Sequence, residues 1–188
     1  MANYEIVALY KDHESEVSAH AVAISEMYHL TLRFEKVPEM ETAINSLLNQ
    51  NTVLCVIHRS VFKFRKLLKY VYAITKPVIV VHPNDSPEVY NRLKVPVGYL
   101  QENKEKVVWA NFFQRNNENS RVELIVPKEK DEDIAFMVKN NVDFIENIFK
   151  KSGAQYTKVF VEGSFEKNLK KVFLESDDCV IFIMRPFR

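Results

Sequence analysis

Short apolar runs rich in valine and isoleucine alternate along this chain with longer segments in which apolar residues recur every three or four positions. Runs of the first kind read as strands and segments of the second kind as covering helices, the alternation of a parallel α/β sheet. The pattern predicts strands at Tyr4 to Tyr10, Leu32 to Val37, Thr52 to His58, Pro77 to His82, Val95 to Tyr99, Val122 to Val126, Thr157 to Glu162 and Cys179 to Met184. Val17, Ala21, Ile24 and Tyr28 fall on one helical face, as do Ile134, Val138, Val142, Ile145 and Phe149. The second of these helices is punctuated by charge. Asp131, Glu132 and Asp133 stand at its start, Lys150 and Lys151 at its end, and Gly153 just beyond, each favoured by the helix dipole or the terminal turn. Val78 to Val81 is apolar throughout, which predicts a strand covered on both faces.

The halves repeat one plan unequally. Val7 and Val17 match Val97 and Val107 at an offset of 90, and Cys55-Val56-Ile57 matches Cys179-Val180-Ile181 at 124. The offset grows by 34, about one helix and one strand, so the second half carries an extra unit built from the long helix and the strand Thr157 to Glu162. The first half in turn continues past its Cys-Val-Ile strand into a further helix and strand, which the second half is expected to lack. Pro83-Asn84-Asp85-Ser86-Pro87 collects prolines and turn formers, and sets the expected domains at 1–86 and 87–188.

Composition narrows the function classes. Hydrophobic residues at 47% are ample for a packed core, and 26 Lys and Arg against 25 Asp and Glu give no charge argument for nucleic acid or an anionic membrane. Cys55 and Cys179 each sit in an apolar run, which predicts buried thiols in a reducing compartment. The opening MANYEIVALY shows no secretory leader, and no apolar run approaches the roughly 20 residues of a membrane span. A cytoplasmic protein is expected.

Val95-Pro96-Val97, Val161-Glu162-Gly163, Asp178-Cys179-Val180-Ile181-Phe182 and Pro77-Val78-Ile79-Val80-Val81 together make the chain resemble the universal stress protein family. These segments look like that family's first, third, fourth and closing strands. The resemblance implies an open, mostly parallel sheet of the adenine nucleotide alpha hydrolase-like, Rossmann-like kind, with strand order 3-2-1-4-5, in two pseudo-repeated and incomplete units. Nucleotide-binding members carry an Asp at the end of the first strand and a glycine-rich loop after the fourth. Here the Asp position falls on Tyr10 and Gly98, and the loops read His58-Arg59-Ser60-Val61 and Arg185-Pro186-Phe187-Arg188. Without glycine the backbone is held back from a phosphate, so no cofactor is expected in that pocket.

His13, His58 and His82 fall at or just past the C-terminal ends of three strands that the family order makes neighbours, the edge where open α/β sheets bind ligands. With Arg59 and Ser60 at the next helix start they form the candidate ligand site; the plainer reading is a set of solvated loop residues. No metal spacing and no Gly-x-Ser-x-Gly elbow is present, and the chain does not read as an enzyme. Lys63, Arg65, Lys66 and Lys69 oppose Phe64, Leu67, Leu68 and Val71, the wet and dry faces of an amphipathic helix. Trp109, Phe112 and Phe113 have the spacing of core or interface packing. The function expected is a non-enzymatic binding or regulatory protein in stress response. The alternatives are an adenine-nucleotide sensor with an altered phosphate loop and a structural assembly module. Self-association, or pairing of the two units within one chain, is expected, with a protein partner as a further option and no membrane or nucleic-acid partner.

Overall fold

A computed structural model describes residues 4–11, 14–59, 63–81, 86–163, 165, 167–168, 171 and 179–182. The chain divides into two compact units, Met1–Pro87 and Glu88–Arg188.

In the first unit, β1 (Glu5–Tyr10), β2 (Thr31–Lys36), β3 (Thr52–His58) and β4 (Val78–Val81) form a parallel sheet in the order β2-β1-β3-β4. Helix α1 (Ser15–Tyr28) connects β1 to β2 and buries Val17, Ala21 and Ile24 completely against β1 and β3. It ends at His29, which takes the left-handed φ of 52° while the Leu30 amide donates to the Ser25 carbonyl, a turn that glycine usually serves. Strand side chains alternate between faces, so Val7, Leu9, Cys55 and Ile57 meet a separate layer. That layer comes from a 3-10 helix (Glu41–Leu47) through Ile44 and from α2 (Phe64–Ala73) through Leu67 and Tyr70. The basic residues Lys63, Arg65, Lys66 and Lys69 are exposed, as amphipathic spacing requires.

The second unit holds β5 (Arg92–Pro96), β6 (Arg121–Lys128), β7 (Tyr156–Glu162) and β8 (Val180–Ile181), parallel in the order β7-β6-β5-β8. A 3-10 turn (Gln101–Glu105) leads into α3 (Lys106–Arg115), and α4 (Glu132–Ser152) joins β6 to β7. The punctuation of α4 falls where charge placed it. The Asp131 carboxylate accepts from the Ile134 amide at 3.0 Å, and Gly153 at φ 73° lets the Ala154 amide reach the Phe149 carbonyl at 2.9 Å. Phe113 is buried and stacks on Tyr90 with ring centroids 5.6 Å apart, while Trp109 and Phe112, in edge contact, are half-buried.

Three expectations change. The strand foreseen at Val95 to Tyr99 begins earlier, at Arg92, and stops at Pro96 because the chain then turns into the 3-10 segment. The run Val78 to Val81 is not covered on both faces. Its strand β4 is an edge of its sheet and Val80 is 40% exposed, so a continuous apolar run here reflects a strand with one bare side. The sheet registers also shift the repeat. Val56 lies beside Ala8 and Val180 beside Leu93, so equating the two valines sets the first strands 85 residues apart, against 90 in the sequence frame.

Neither cysteine forms a disulfide; Cys55 is buried and Cys179 half-buried. Among the described residues no helix is long and apolar enough to cross a membrane.

Candidate functional site

Each sheet has one place where successive connections leave in opposite directions, and there the C-terminal ends of two adjacent strands open a crevice. In the first unit it lies between β1 and β3, in the second between β5 and β8. Strands β1, β3 and β4 are neighbours, with His58 beside Val81 in the ladder. His58 closes β3 as a buried residue, only 6% exposed, rather than a solvated loop histidine. Arg59 follows it at the surface. The other three candidates, His13, Ser60 and His82, lie outside the described residues, so of the five the structure places only His58 and Arg59 at this edge. The α2 N-terminus nearby has no side-chain cap and no acidic residue in its first turn.

The second crevice contains a group that the sequence reading did not single out. Lys106, the first residue of α3, is 4% exposed, and its Nζ donates to the Pro96 carbonyl at 2.6 Å and to Asn103 Oδ1 at 2.7 Å. Its charge faces the Phe165 ring, 5.5 Å from the centroid. Among the described residues no carboxylate lies within ion-pair distance. Burial pushes the ammonium down to about 8, since a desolvated cation without a counter-charge is costly. The Asn103 side chain accepts from the Gly98 amide and donates to the Leu100 carbonyl. Asn141, buried in the middle of α4, donates to the carbonyls of Gly98 and Leu100 at 2.8 and 2.9 Å. Asn103, Lys106 and Asn141 thereby satisfy the Gly98 amide and the carbonyls of Pro96, Gly98 and Leu100 where the chain leaves β5. Position 106 shares a helical face with Ala110 and Phe113, and that periodicity is the signal that marks the lysine as inward-facing.

This knot fills the crevice. A Cβ on Gly98 would stand 3.3 Å from Asn103 Nδ2 and from the Phe165 ring, so an aspartate at 98 could not project there without displacing both. Among the described residues, Asn103, Lys106 and the Phe165 ring pack against the loop at the end of β5.

A second polar cluster sits at the opposite, N-terminal edge of the first sheet. Glu5 accepts from Arg33, Thr52 and Asn49 at 2.8, 2.8 and 2.9 Å, and Arg33 also pairs with Glu35. The Arg33 contact above all, with help from Thr52 and Asn49, lowers the Glu5 carboxyl below its ordinary value. The cluster ties the first residues of β1 and β3 to β2 and is accounted for by sheet registration. An open groove of about 530 Å³ in the second unit, lined by Gln114, Arg115, Arg121, Gly153 and Gln155, lies where α3 and α4 end, and their dipoles oppose anion binding. Among the described residues no cluster of metal-ligating side chains occurs. No family model and no curated protein matches the chain.

Proposed function

We propose that the chain is a tandem universal-stress-like protein, non-enzymatic, acting by binding or regulation in stress response without ATP in that family's usual pocket. The strand orders carry this reading. Set on the frame 3-2-1-4-5, the order β7-β6-β5-β8 reads 3-2-1-4, and β2-β1-β3-β4 reads as the same frame with its third strand left out. Each sheet thus corresponds to a different four of five strands, which supports two incomplete copies of one unit. The filled crevice at Gly98 supports the absence of nucleotide, because Asn103, Lys106 and Phe165 occupy the space beside the position of the family's aspartate. The role in stress response rests on the resemblance.

Calorimetry with ATP tests the reading. No saturable isotherm is expected at micromolar ligand, and weak heat that vanishes with added salt reports only charge attraction. A one-to-one isotherm abolished by Arg59→Ala would replace the proposal with an adenine-nucleotide sensor using the altered loop of the first unit.

A further inference from the structure

Among the described residues strand β7 is an edge of the second sheet and pairs with β6 alone, along all seven of its residues. Its outer backbone row has no partner among the described residues. Val159 is 38% and Phe160 57% exposed, and because neighbouring strand residues face opposite ways, the strand presents apolar side chains to solvent on both faces. The β2 edge of the first sheet is different. It carries Arg33, Glu35 and Lys36, charges of the kind that keep an edge from pairing. The middle of β7 has none.

We propose that β7 is a self-pairing edge, joining a second copy of this chain through antiparallel addition of β7 to β7. The sequence of the strand argues for the occupant. A two-fold axis perpendicular to a sheet keeps every residue on its own face, so the pairing must be centred on a residue and not between two. Centred on Phe160, the segment Lys158-Val159-Phe160-Val161-Glu162 is complementary to itself. Lys158 faces Glu162 of the second copy, Val159 faces Val161, and Phe160 faces Phe160, with every opposed pair repeated by symmetry. Shifting the centre to Val159 sets Lys158 against Phe160, and shifting it to Val161 sets Phe160 against Glu162. Only the Phe160 centre matches charge with charge and apolar with apolar along the whole segment.

The charges at the ends are already held in place. Lys158 pairs with Glu146 at 3.0 Å and Glu162 with Lys128 at 2.6 Å. Pairing would insert each between two groups of opposite sign, so the existing contacts orient the side chains instead of consuming them. This inference is independent of the proposed function, and the edge it uses is not β4.

Sedimentation velocity on the full chain at rising concentration should show a monomer–dimer equilibrium. Lys158→Glu alone, or Glu162→Lys alone, sets two like-charge pairs across the axis and should weaken the dimer roughly tenfold. Lys158→Glu with Glu162→Lys restores opposite charges across the axis but sets each against Glu146 or Lys128 within its own copy, so it should recover part of the lost association, and adding Glu146→Lys and Lys128→Glu should recover the rest. The Lys158 and Glu162 side chains are exposed, and circular dichroism checks that each variant folds. Phe160→Cys should oxidise to a covalent dimer, since residues opposed across antiparallel strands stand about 4.5–5.5 Å apart at Cα, within disulfide reach. A monomer at every concentration would overturn the proposal. So would a dimer that ignores both charge reversals, or one that dissociates on Ile79→Pro in β4 while staying indifferent to β7.

Discussion

Lys106 offers a direct measurement of what the filled crevice costs. Its ammonium is buried with no carboxylate among the described residues within ion-pair distance, and burial brings it down to about 8 in the folded protein, against an ordinary value of 10.5. The sign follows from linkage. Above 10.5 the amine is neutral in both folded and unfolded chains, and the protein is free of the penalty. Between 8 and 10.5 the unfolded chain holds a proton that the folded protein has released, so stability rises with pH across this window. Below 8 both states are charged and the full cost applies. At about 1.4 kcal/mol per pH unit the cost reaches about 3 kcal/mol. The hydrogen bonds from Nζ to Pro96 and Asn103 and the Phe165 ring all favour the charged form, so about 3 kcal/mol is a ceiling and about 1–3 kcal/mol is expected. Trp109, the chain's single tryptophan, sits on the same helix, so its fluorescence during urea unfolding reports on this unit alone. Wild type and Lys106→Met are compared from pH 7 to 10.5. The variant loses two hydrogen bonds at every pH but carries no charge to desolvate. Its stability relative to wild type should therefore be highest at pH 7 and fall by about 1–3 kcal/mol toward pH 10.5. A difference that stays flat would show that the lysine is solvated, and that the crevice beneath Phe165 is open.

Two further tests address the fold itself. Val80→Asp, 40% exposed in an edge strand on the face shared with Ile57, should cost clearly less than Val56→Asp, which is fully buried in β3 and should cost several kcal/mol; equal losses in urea would mean that β4 is covered. Asp131→Ala removes the acceptor for the Ile134 amide and should cost about 1 kcal/mol, and an unchanged urea midpoint would show the α4 cap to be inert.

Much of this architecture is legible in the chain because period is a local property. Val17, Ala21 and Ile24 recur at helical spacing and are fully buried in α1, and Cys55-Val56-Ile57 is apolar throughout and fully buried in β3. The ends of α4 are equally legible, since Asp131 and Gly153 act on the backbone within a turn. The candidate site was less so. Strand ends were readable, which placed His58 and Arg59 at the C-terminal end of β3, but not that His58 would be buried there.

Strand order and edge identity required the tertiary structure, because both depend on pairings between residues far apart in the chain. Val78 to Val81 and Cys55 to Ile57 look alike as sequence; one borders solvent and the other lies between two strands. Lys106 shows the same limit from the polar side. By composition it is a surface cation, and only the convergence of β5, α3 and the Phe165 ring removes it from water. The alternation of residues determined which elements form, whereas the packing of those elements decided which side chains lose their water, as Lys106 does, and which keep it, as Val159 and Phe160 of β7 do.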